Sequence, residues 1–104
     1  MKLNIRTNLA ANQDTELMSV DAVTLFEVAG YKFFSHHPVD NSYKNLPDRW
    51  KVSEYSTGMA ITYNDYYTEE EAIEKAKHII SKRPDLAHDI NTAIEQYGVV
   101  NKES

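Results

Sequence analysis

Near the N-terminus, apolar and polar residues alternate with the period of half-buried β-strands. A first strand is predicted by the alternating residues Leu3, Ile5 and Thr7. The polar residues 8–16 predict a loop after it. The segment 14–27 fits two periods, because its apolar residues suit a helix while β-branched and aromatic residues dominate its second half. We favour a strand over about 22–28, and the helix remains the open alternative.

A β-hairpin is predicted around residues 29–30, because Ala29-Gly30 supplies a turn after the first strand. Tyr31–Ser35 resumes the alternation as the second strand of this hairpin. The segment Pro38–Asp48 contains two prolines together with Asp, Asn and Ser, so it predicts a long loop. Long loops in small domains often contact other molecules, which makes this loop a secondary candidate for binding. A surface crossover between two hairpins explains the same loop without any partner.

A second hairpin is predicted after that loop, where two alternating runs flank a turn at Gly58. The first run is Trp50–Tyr55 and the second is Met59–Tyr63. A sheet that carries helices on one face leaves its other face in water. The residues expected on the wet face include Lys51, Ser53 and Thr62.

Two amphipathic helices are predicted next. The first begins at the N-cap Thr68, where Glu71 completes a capping box, and Pro84 ends it. The second runs from about Asp85 to Tyr97, and Gly98 closes it. Their apolar stripes predict one core shared with the second hairpin, which contains Trp50, Val52, Ile61, Ile73, Ala76, Ile80, Ile90 and Ile94.

These elements predict a single α+β domain over residues 1–104, with a small antiparallel sheet of about four strands in two hairpins, packed by two C-terminal α-helices. Residues from about 99 to 104 are expected to form a frayed tail. No apolar run approaches the ~18 residues of a membrane span, and the first residues lack the apolar segment of a secretory signal. A soluble, cytoplasmic protein is therefore expected, and the absence of cysteine is compatible with that compartment.

The distribution of charge narrows the kinds of partner. The chain has a net charge of −5, yet residues 1–52 contain six acids and six bases, whereas residues 53–104 contain ten acids and five bases. Direct nucleic-acid binding is disfavoured, because contact with phosphates needs clustered Lys and Arg. An acidic surface suits a basic protein partner, although ordinary solubility explains the same charge without any partner.

Residues for catalysis or metal binding are sparse. There is no cysteine, no Gly-x-Ser-x-Gly sequence and no glycine-rich phosphate loop. His36 and His37 form the most suggestive pair, but adjacent strand residues point to opposite faces and do not readily share one metal ion. His78 follows Glu74 by one helical turn, and two ligands do not complete a site. The sequence thus predicts no enzyme activity, no metal and no cofactor.

The candidate binding residues lie between the second hairpin and the first helix. The predicted protein-binding set is Tyr63, Asp65, Tyr66, Tyr67, Glu69 and Glu70. Tyrosine brings a large apolar area and a polar tip to an interface, and the carboxylates can receive Lys and Arg of a basic partner. The spacing does not fit a calcium loop. A strand-to-helix connection whose tyrosines cover the sheet edge explains the same residues without any partner.

Three functional hypotheses follow from these features. The first is a small, acidic, non-enzymatic protein-interaction module, and its specific version is a phage or mobile-element inhibitor that binds a basic nucleic-acid-binding protein of the host. The second is a small-ligand-binding or regulatory domain that uses the sheet face, the 38–48 loop and His36 or His37. The third, a small enzyme with carboxylate or histidine chemistry, has the least support. The pattern leaves a homo-oligomer open.

Overall fold

A computed structural model describes residues 1–8, 15–38, 46–62 and 64–102 of the chain. The regular elements in these ranges are β1 (Lys2–Asn8), β2 (Thr15–Asp21), β3 (Leu25–Val28), β4 (Tyr31–His36), β5 (Lys51–Glu54), α1 (Glu69–Ser81) and α2 (Leu86–Tyr97). The strands form two antiparallel sheets, one with the order β1-β2 and one with the order β3-β4-β5. The predicted α+β class, with an antiparallel sheet packed by C-terminal helices, is therefore confirmed.

In the described part of the segment 14–27, residues 15–21 and 25–27 lie in strands and none lies in a helix, so the helical alternative is wrong. β2 takes up residues that the sequence assigned partly to a loop, and all seven of its residues pair with β1. The strand predicted over about 22–28 begins later, at Leu25, because the ladder is irregular before it. The backbone of Ser35 accepts a hydrogen bond from residue 23 and donates one to residue 24, which is the pattern of a β-bulge.

The turn between β3 and β4 is confirmed. Ala29 and Gly30 have φ angles of 55° and 84°, the left-handed conformation at both central positions of the turn. Val28 and Tyr31 close it as the first cross-strand pair. An alanine with positive φ is uncommon, so this turn is held by the pairing of the strands on either side of it.

The second predicted hairpin is the largest error. The turn at Gly58 is present with a φ of 72°, but the described residues 59–62 return with a single isolated bridge, Ser53↔Ala60, instead of a strand. The turn bonds to the other sheet, because the carbonyl of Gly58 accepts a hydrogen bond of 2.9 Å from the backbone of Arg6. A Cβ at Gly58 would lie 2.8 Å from a β1 carbonyl, so only glycine allows this approach.

Two residues that were predicted to face water are buried as a consequence. Ser53 is 1% exposed and Thr62 is 0% exposed. The hydroxyl oxygen of Thr62 accepts a hydrogen bond from the backbone N–H of Val52 at 3.2 Å, where a strand would supply a carbonyl. Lys51 is half-buried rather than fully exposed. The sequence pattern missed this burial because polar side chains replace part of the ladder.

The β3-β4-β5 sheet is covered on both faces. Phe33 and Phe34 are adjacent in β4 and point to opposite faces, yet both are fully buried. On the side of Phe33, which we call the helix face, the buried cluster is Phe33, Val52, Ile61, Ala72, Ala76, Ile80, Leu86 and Ile90. On the side of Phe34, which we call the β1-β2 face, the cluster is Leu3, Ile5, Val20, Ala22 and Phe34.

The predicted core corresponds to the helix face and is confirmed. Five of its eight residues belong to the buried cluster, and Trp50, Ile73 and Ile94 pack against it while partly buried. The second cluster was not predicted, because β2 was not recognised as a strand. The three layers of the described residues are therefore two helices, a three-stranded sheet and a two-stranded sheet.

The helix ends agree with the sequence. The hydroxyl of Thr68 accepts a hydrogen bond of 3.1 Å from the backbone N–H of Glu71, which confirms the N-cap. Gly98 ends α2 with a φ of 82°, and its N–H donates to the carbonyl of Ile94. Neither helix of the described ranges is long and apolar enough to cross a membrane.

The tail that was expected to be frayed is docked over residues 99–102. Asn101 is 6% exposed, and its side chain accepts a hydrogen bond from the backbone N–H of Asn4 at 2.7 Å. The same amide donates to the carbonyls of Asn4 at 2.9 Å and Tyr55 at 2.8 Å. Asn101 therefore occupies the free edge of β1 as a neighbouring strand would, and this long-range contact leaves no local pattern in the sequence.

Candidate functional site

The chain crosses from the sheet to α1 through residues 64–68, where an isolated bridge fixes its position. The backbones of Trp50 and Tyr66 exchange two hydrogen bonds of 2.7 and 2.9 Å. Both side chains pack against the helix-face core. The pairs on either side of an antiparallel bridge point to the opposite side. Asp65 and Tyr67 therefore share the side that faces away from this core.

The cross-strand neighbours of these two residues are basic. The Arg49 guanidinium lies over the Tyr67 ring, 4.2 Å from its centroid. Arg49 is also held by the carboxylate of Asp48 at 2.9 Å. On the other side of the bridge, the ammonium of Lys51 lies 3.7 Å from the carboxylate of Asp65. The surface thus contains a tyrosine and an acid, each in contact with one cation of its own chain.

The acids of the first turn of α1 have different environments. Glu69 is half-buried, and its carboxylate accepts hydrogen bonds from the hydroxyls of Thr24 at 2.8 Å and Ser35 at 2.6 Å. These bonds attach the start of α1 to the sheet, so Glu69 has a structural role. Glu70 is exposed, and no sheet residue holds it among the described contacts. Both carboxylates also stabilise the positive end of the helix dipole.

The predicted binding set therefore divides. Tyr66 packs against the helix-face core and Glu69 bonds to the sheet. Tyr63 lies outside the described residues. Three members remain at the surface, and we call Asp65, Tyr67 and Glu70 the acidic-tyrosine surface. Tyr67 is 70% exposed, which is a large exposure for a residue of this size. The sequence pattern could not tell which of these side chains turn inward.

The ring nitrogens of His36 and His37 form hydrogen bonds within the fold. His36 is 1% exposed, and its Nδ1 lies 3.0 Å from the carbonyl of His37, so Nδ1 carries the proton and donates. Nε2 then accepts a hydrogen bond of 2.8 Å from the hydroxyl of Ser53. A serine beside a histidine base resembles a nucleophile and its activator, but both residues are buried, so a substrate cannot reach them.

Burial also changes the proton affinity of His36. The pKa of its imidazole is lowered from 6.5 to about 4, mainly because the charged form loses its hydration inside the protein. His37 is half-buried and donates from Nδ1 to the carbonyl of Arg49 at 2.8 Å. Its ring centroid lies 4.1 Å from that of Trp50, with the two ring planes tilted by 41°. The described residues contain no group of three His, Cys, Asp or Glu side chains that could hold a metal ion.

A groove at the other end of the β3-β4-β5 sheet was not predicted. It has a volume of about 460 Å³ and lies between the β3-β4 turn, the turn after β5 and the docked tail. Lys32, Tyr55 and Lys102 are among its lining residues. The sequence contains no local signal for this groove, because its three walls come from segments far apart in the chain.

No protein-family model matches the chain, and no curated protein or solved structure matches it either. Function is therefore inferred from the geometry and chemistry of this chain.

Proposed function

We propose that this protein is a non-enzymatic interaction module that binds a basic protein through the acidic-tyrosine surface. The observation that carries the proposal is the contact between Arg49 and the exposed ring of Tyr67. The contact shows that a guanidinium can lie against this ring while a carboxylate stands beside it. An arginine of a partner would find the same chemistry, because cation–π and charge-assisted contacts favour arginine at interfaces.

The charge of the whole domain supports the same partner. The acid excess lies in residues 53–104, which include Asp65, Tyr67 and Glu70. An acidic field speeds the encounter with a basic protein and opposes contact with nucleic acid. A specific form of the proposal is that the partner is a nucleic-acid-binding protein, which the domain inhibits by covering its basic groove, as a protein encoded by a phage or mobile element would. The cytoplasm is the compartment that we propose for this activity.

The histidine chemistry argues for a binding role rather than catalysis. Among the described hydrogen bonds, the only one between a serine hydroxyl and a histidine ring is that of Ser53 with His36, and both residues are buried. A role in recognition makes use of the exposed ring and charges as they stand.

The test compares two double variants that remove the same charge. Asp65→Asn with Glu70→Gln neutralises the proposed surface, and Glu74→Gln with Glu95→Gln neutralises two exposed acids elsewhere. Each protein is immobilised and used to capture partners from a lysate of its native cell, and binding of the captured protein is then measured at low and high salt. The first variant should bind more slowly and with a weaker dependence on salt, whereas the second should resemble the wild type.

A third variant separates the aromatic contribution from the charge. Tyr67→Ala should raise the dissociation rate of the complex, because a desolvated aromatic anchor acts after the encounter, and Tyr67→Phe should retain most of the affinity. If the two double variants lose the same affinity and Tyr67→Ala changes nothing, the partner responds to net charge alone. The acidic-tyrosine surface would then be an ordinary solvated surface.

A further inference from the structure

The outer edge of β2 has no partner among the described hydrogen bonds. The backbone N–H of Ala22 donates to the carbonyl of Met1 at 2.8 Å, so the even-numbered residues of β2 are the ones that bond to β1. The backbone groups that point away from β1 are therefore those of Thr15, Leu17, Ser19 and Asp21. Outside the ladder with β1, no described hydrogen bond involves the backbone of these four residues. The strand thus presents a row of N–H and carbonyl groups along one side.

The other edges of the two sheets are covered or short. The free side of β1 is bonded by the side chain of Asn101 and the carbonyl of Gly58. On the free side of β5, the carbonyl of Val52 accepts a hydrogen bond of 2.8 Å from the backbone N–H of Ile61. The outer edge of β3 is four residues long, whereas β2 has seven residues. A long edge of this kind accepts another strand unless the protein protects it.

The residues of β2 give this edge little protection. Natural proteins protect edge strands with lysine, proline, bulges or inward-pointing charges. β2 contains neither lysine nor proline, and its two acids, Glu16 and Asp21, stand on either side of the uncharged run Leu17–Val20. The side chain of Leu17 is 50% exposed. An exposed apolar residue beside outward backbone groups favours the addition of a strand.

The charge and the sequence of β2 suit a second copy of the same chain. β1 contains two bases and β2 two acids, so this sheet is neutral on a chain whose net charge is −5. Two copies therefore repel each other less here than through their acidic C-terminal halves. An antiparallel pairing with Met18 opposite the same residue of the second copy aligns all seven residues. In this register, the pairs whose outward groups meet are Thr15 with Asp21 and Leu17 with Ser19, and no acid stands opposite an acid.

We propose that the protein forms a two-fold symmetric dimer in which β2 pairs with β2 of a second copy. The two small sheets then join into one antiparallel sheet of four strands, with about eight hydrogen bonds between the copies. The pairing ends at Asp21, because the N–H of Val23 already donates to the carbonyl of Ser35 in β4. The dimer does not depend on the proposed function, since no residue of the acidic-tyrosine surface lies in β1 or β2.

Sedimentation equilibrium from about 10 μM to about 1 mM measures the dimer, whose dissociation constant should be on the order of 100 μM because one strand pair buries less surface than a standard interface. Amide chemical shifts of the 15N-labelled protein should change with protein concentration at residues 15–21. Ser19→Pro removes one outward N–H and leaves the bonds to β1 in place, so it should weaken the dimer by roughly tenfold. Ser19→Ala retains that N–H and should dimerise like the wild type.

A second pair of variants tests the same edge with charge. Leu17→Lys places a lysine on the edge in each copy and should also weaken the dimer by roughly tenfold. Met59→Lys makes the same charge change at a residue that is 43% exposed outside β2, and it should dimerise like the wild type. Thermal melts of the four variants exclude unfolding as the cause.

Single cysteines test the register, because the chain has no cysteine of its own. Met18→Cys places two thiols opposite each other with Cα atoms about 4.5 Å apart, so mild oxidation should link the copies by a disulfide. Ser19→Cys places them more than about 7 Å apart and should link far more slowly. The proposal is overturned if the protein stays monomeric at the highest concentration, if the shifts that depend on concentration lie outside β2, or if Ser19→Pro and Ser19→Ala dimerise equally. Faster linkage in Ser19→Cys than in Met18→Cys would overturn the two-fold register.

Discussion

The two faces of the β3-β4-β5 sheet are buried by different means. The helix face is covered by apolar stripes of α1 and α2, and eight buried hydrophobic residues meet there. The β1-β2 face has a smaller apolar cluster of five residues, and it also contains the buried polar residues His36 and Ser53. The docked Asn101 adds three hydrogen bonds at the margin of that face.

This difference shows two ways to close a small core. Helical stripes bury surface without needing exact partners, because the hydrophobic effect is not directional. A two-stranded sheet buries less apolar surface and is marginal by itself. Its free edge and the polar groups beneath it must be paired, since an unpaired buried polar group costs about 1–3 kcal/mol. The β1-β2 face should therefore be more sensitive to the loss of single hydrogen bonds.

The largest expected loss of stability comes from removing one buried phenylalanine ring from either face of the sheet. Phe33→Ala and Phe34→Ala should each cost about 3–5 kcal/mol of the free energy of unfolding, because both rings are fully buried. Hydrogen exchange should then increase mainly in α1 for Phe33→Ala and mainly in β1 and β2 for Phe34→Ala. Equal loss of protection in both regions would mean that the faces unfold as one unit.

A pH series examines the buried imidazole of the β1-β2 face. The pKa of His36 is lowered to about 4 in the folded protein and has its ordinary value of 6.5 when unfolded. The unfolded chain therefore binds the proton first as the pH decreases. The stability that the neutral His36 contributes is fully present above pH 6.5 and is lost as the pH decreases towards 4. The total loss should be about 3 kcal/mol.

Urea melts between pH 7.5 and pH 4 measure this dependence, and carboxylates contribute to it in every variant. His36→Gln should therefore show a shallower fall than the wild type. His78→Gln, which removes an exposed histidine, is the matched control. Equal slopes in all three proteins would contradict the role assigned to His36.

Removing the Asn101 side chain should cause a smaller loss of stability, with an effect centred on the edge of β1. Asn101→Ala should cost about 1–3 kcal/mol, because the backbone groups of Asn4 and the carbonyl of Tyr55 lose their partner. Hydrogen exchange at Asn4 should rise more than elsewhere in β1. Asn91→Ala, at an exposed position of α2, provides the matched control and should change stability by less than about 0.5 kcal/mol. If the two variants are equally stable, the edge of β1 does not need the tail.

The smallest expected loss of stability comes from removing the N-cap of α1. Thr68→Ala should reduce stability by about 1 kcal/mol, because the N–H of Glu71 loses its acceptor. Thr68→Ser retains a hydroxyl and should remain close to the wild type. Denaturant melts of the two variants measure the difference. A loss in Thr68→Ser as large as that in Thr68→Ala would show that the methyl group, not the cap, is what matters.

The features predicted from the sequence lie mainly on the helix face, and the features that were missed lie mainly on the β1-β2 face. Thr68, Gly98 and the stripe of α1 were identified correctly, because caps and helical periods are local signals. β2 was missed, and the return after Gly58 was wrongly expected to form a strand. Strand pairing depends on partners that lie far away in the chain, so an alternating run does not reveal whether a ladder forms.

The candidate site shows the same limit on a smaller scale. Its location between the sheet and α1 followed from the composition of residues 63–70. The division of that set did not follow, because Tyr66 turns inward through its bridge to Trp50 and Glu69 turns towards Ser35. Successive side chains beside the bridge point to opposite sides, so the bridge decides which tyrosine is exposed. A shift of the pairing by one residue would bury Tyr67 and expose Tyr66.

The sequence by itself determined the α+β class, both helices with their ends, the helix-face core and the acidic character of the C-terminal half. Only the tertiary structure decided the second sheet, the burial of Ser53 and His36, the docking of Asn101 and the existence of the groove beside it. The physical reason is the range of the interactions. Helix periods and caps act within a few residues, whereas the bonds of Asn101 to Asn4 and Tyr55 connect residues 97 and 46 positions apart.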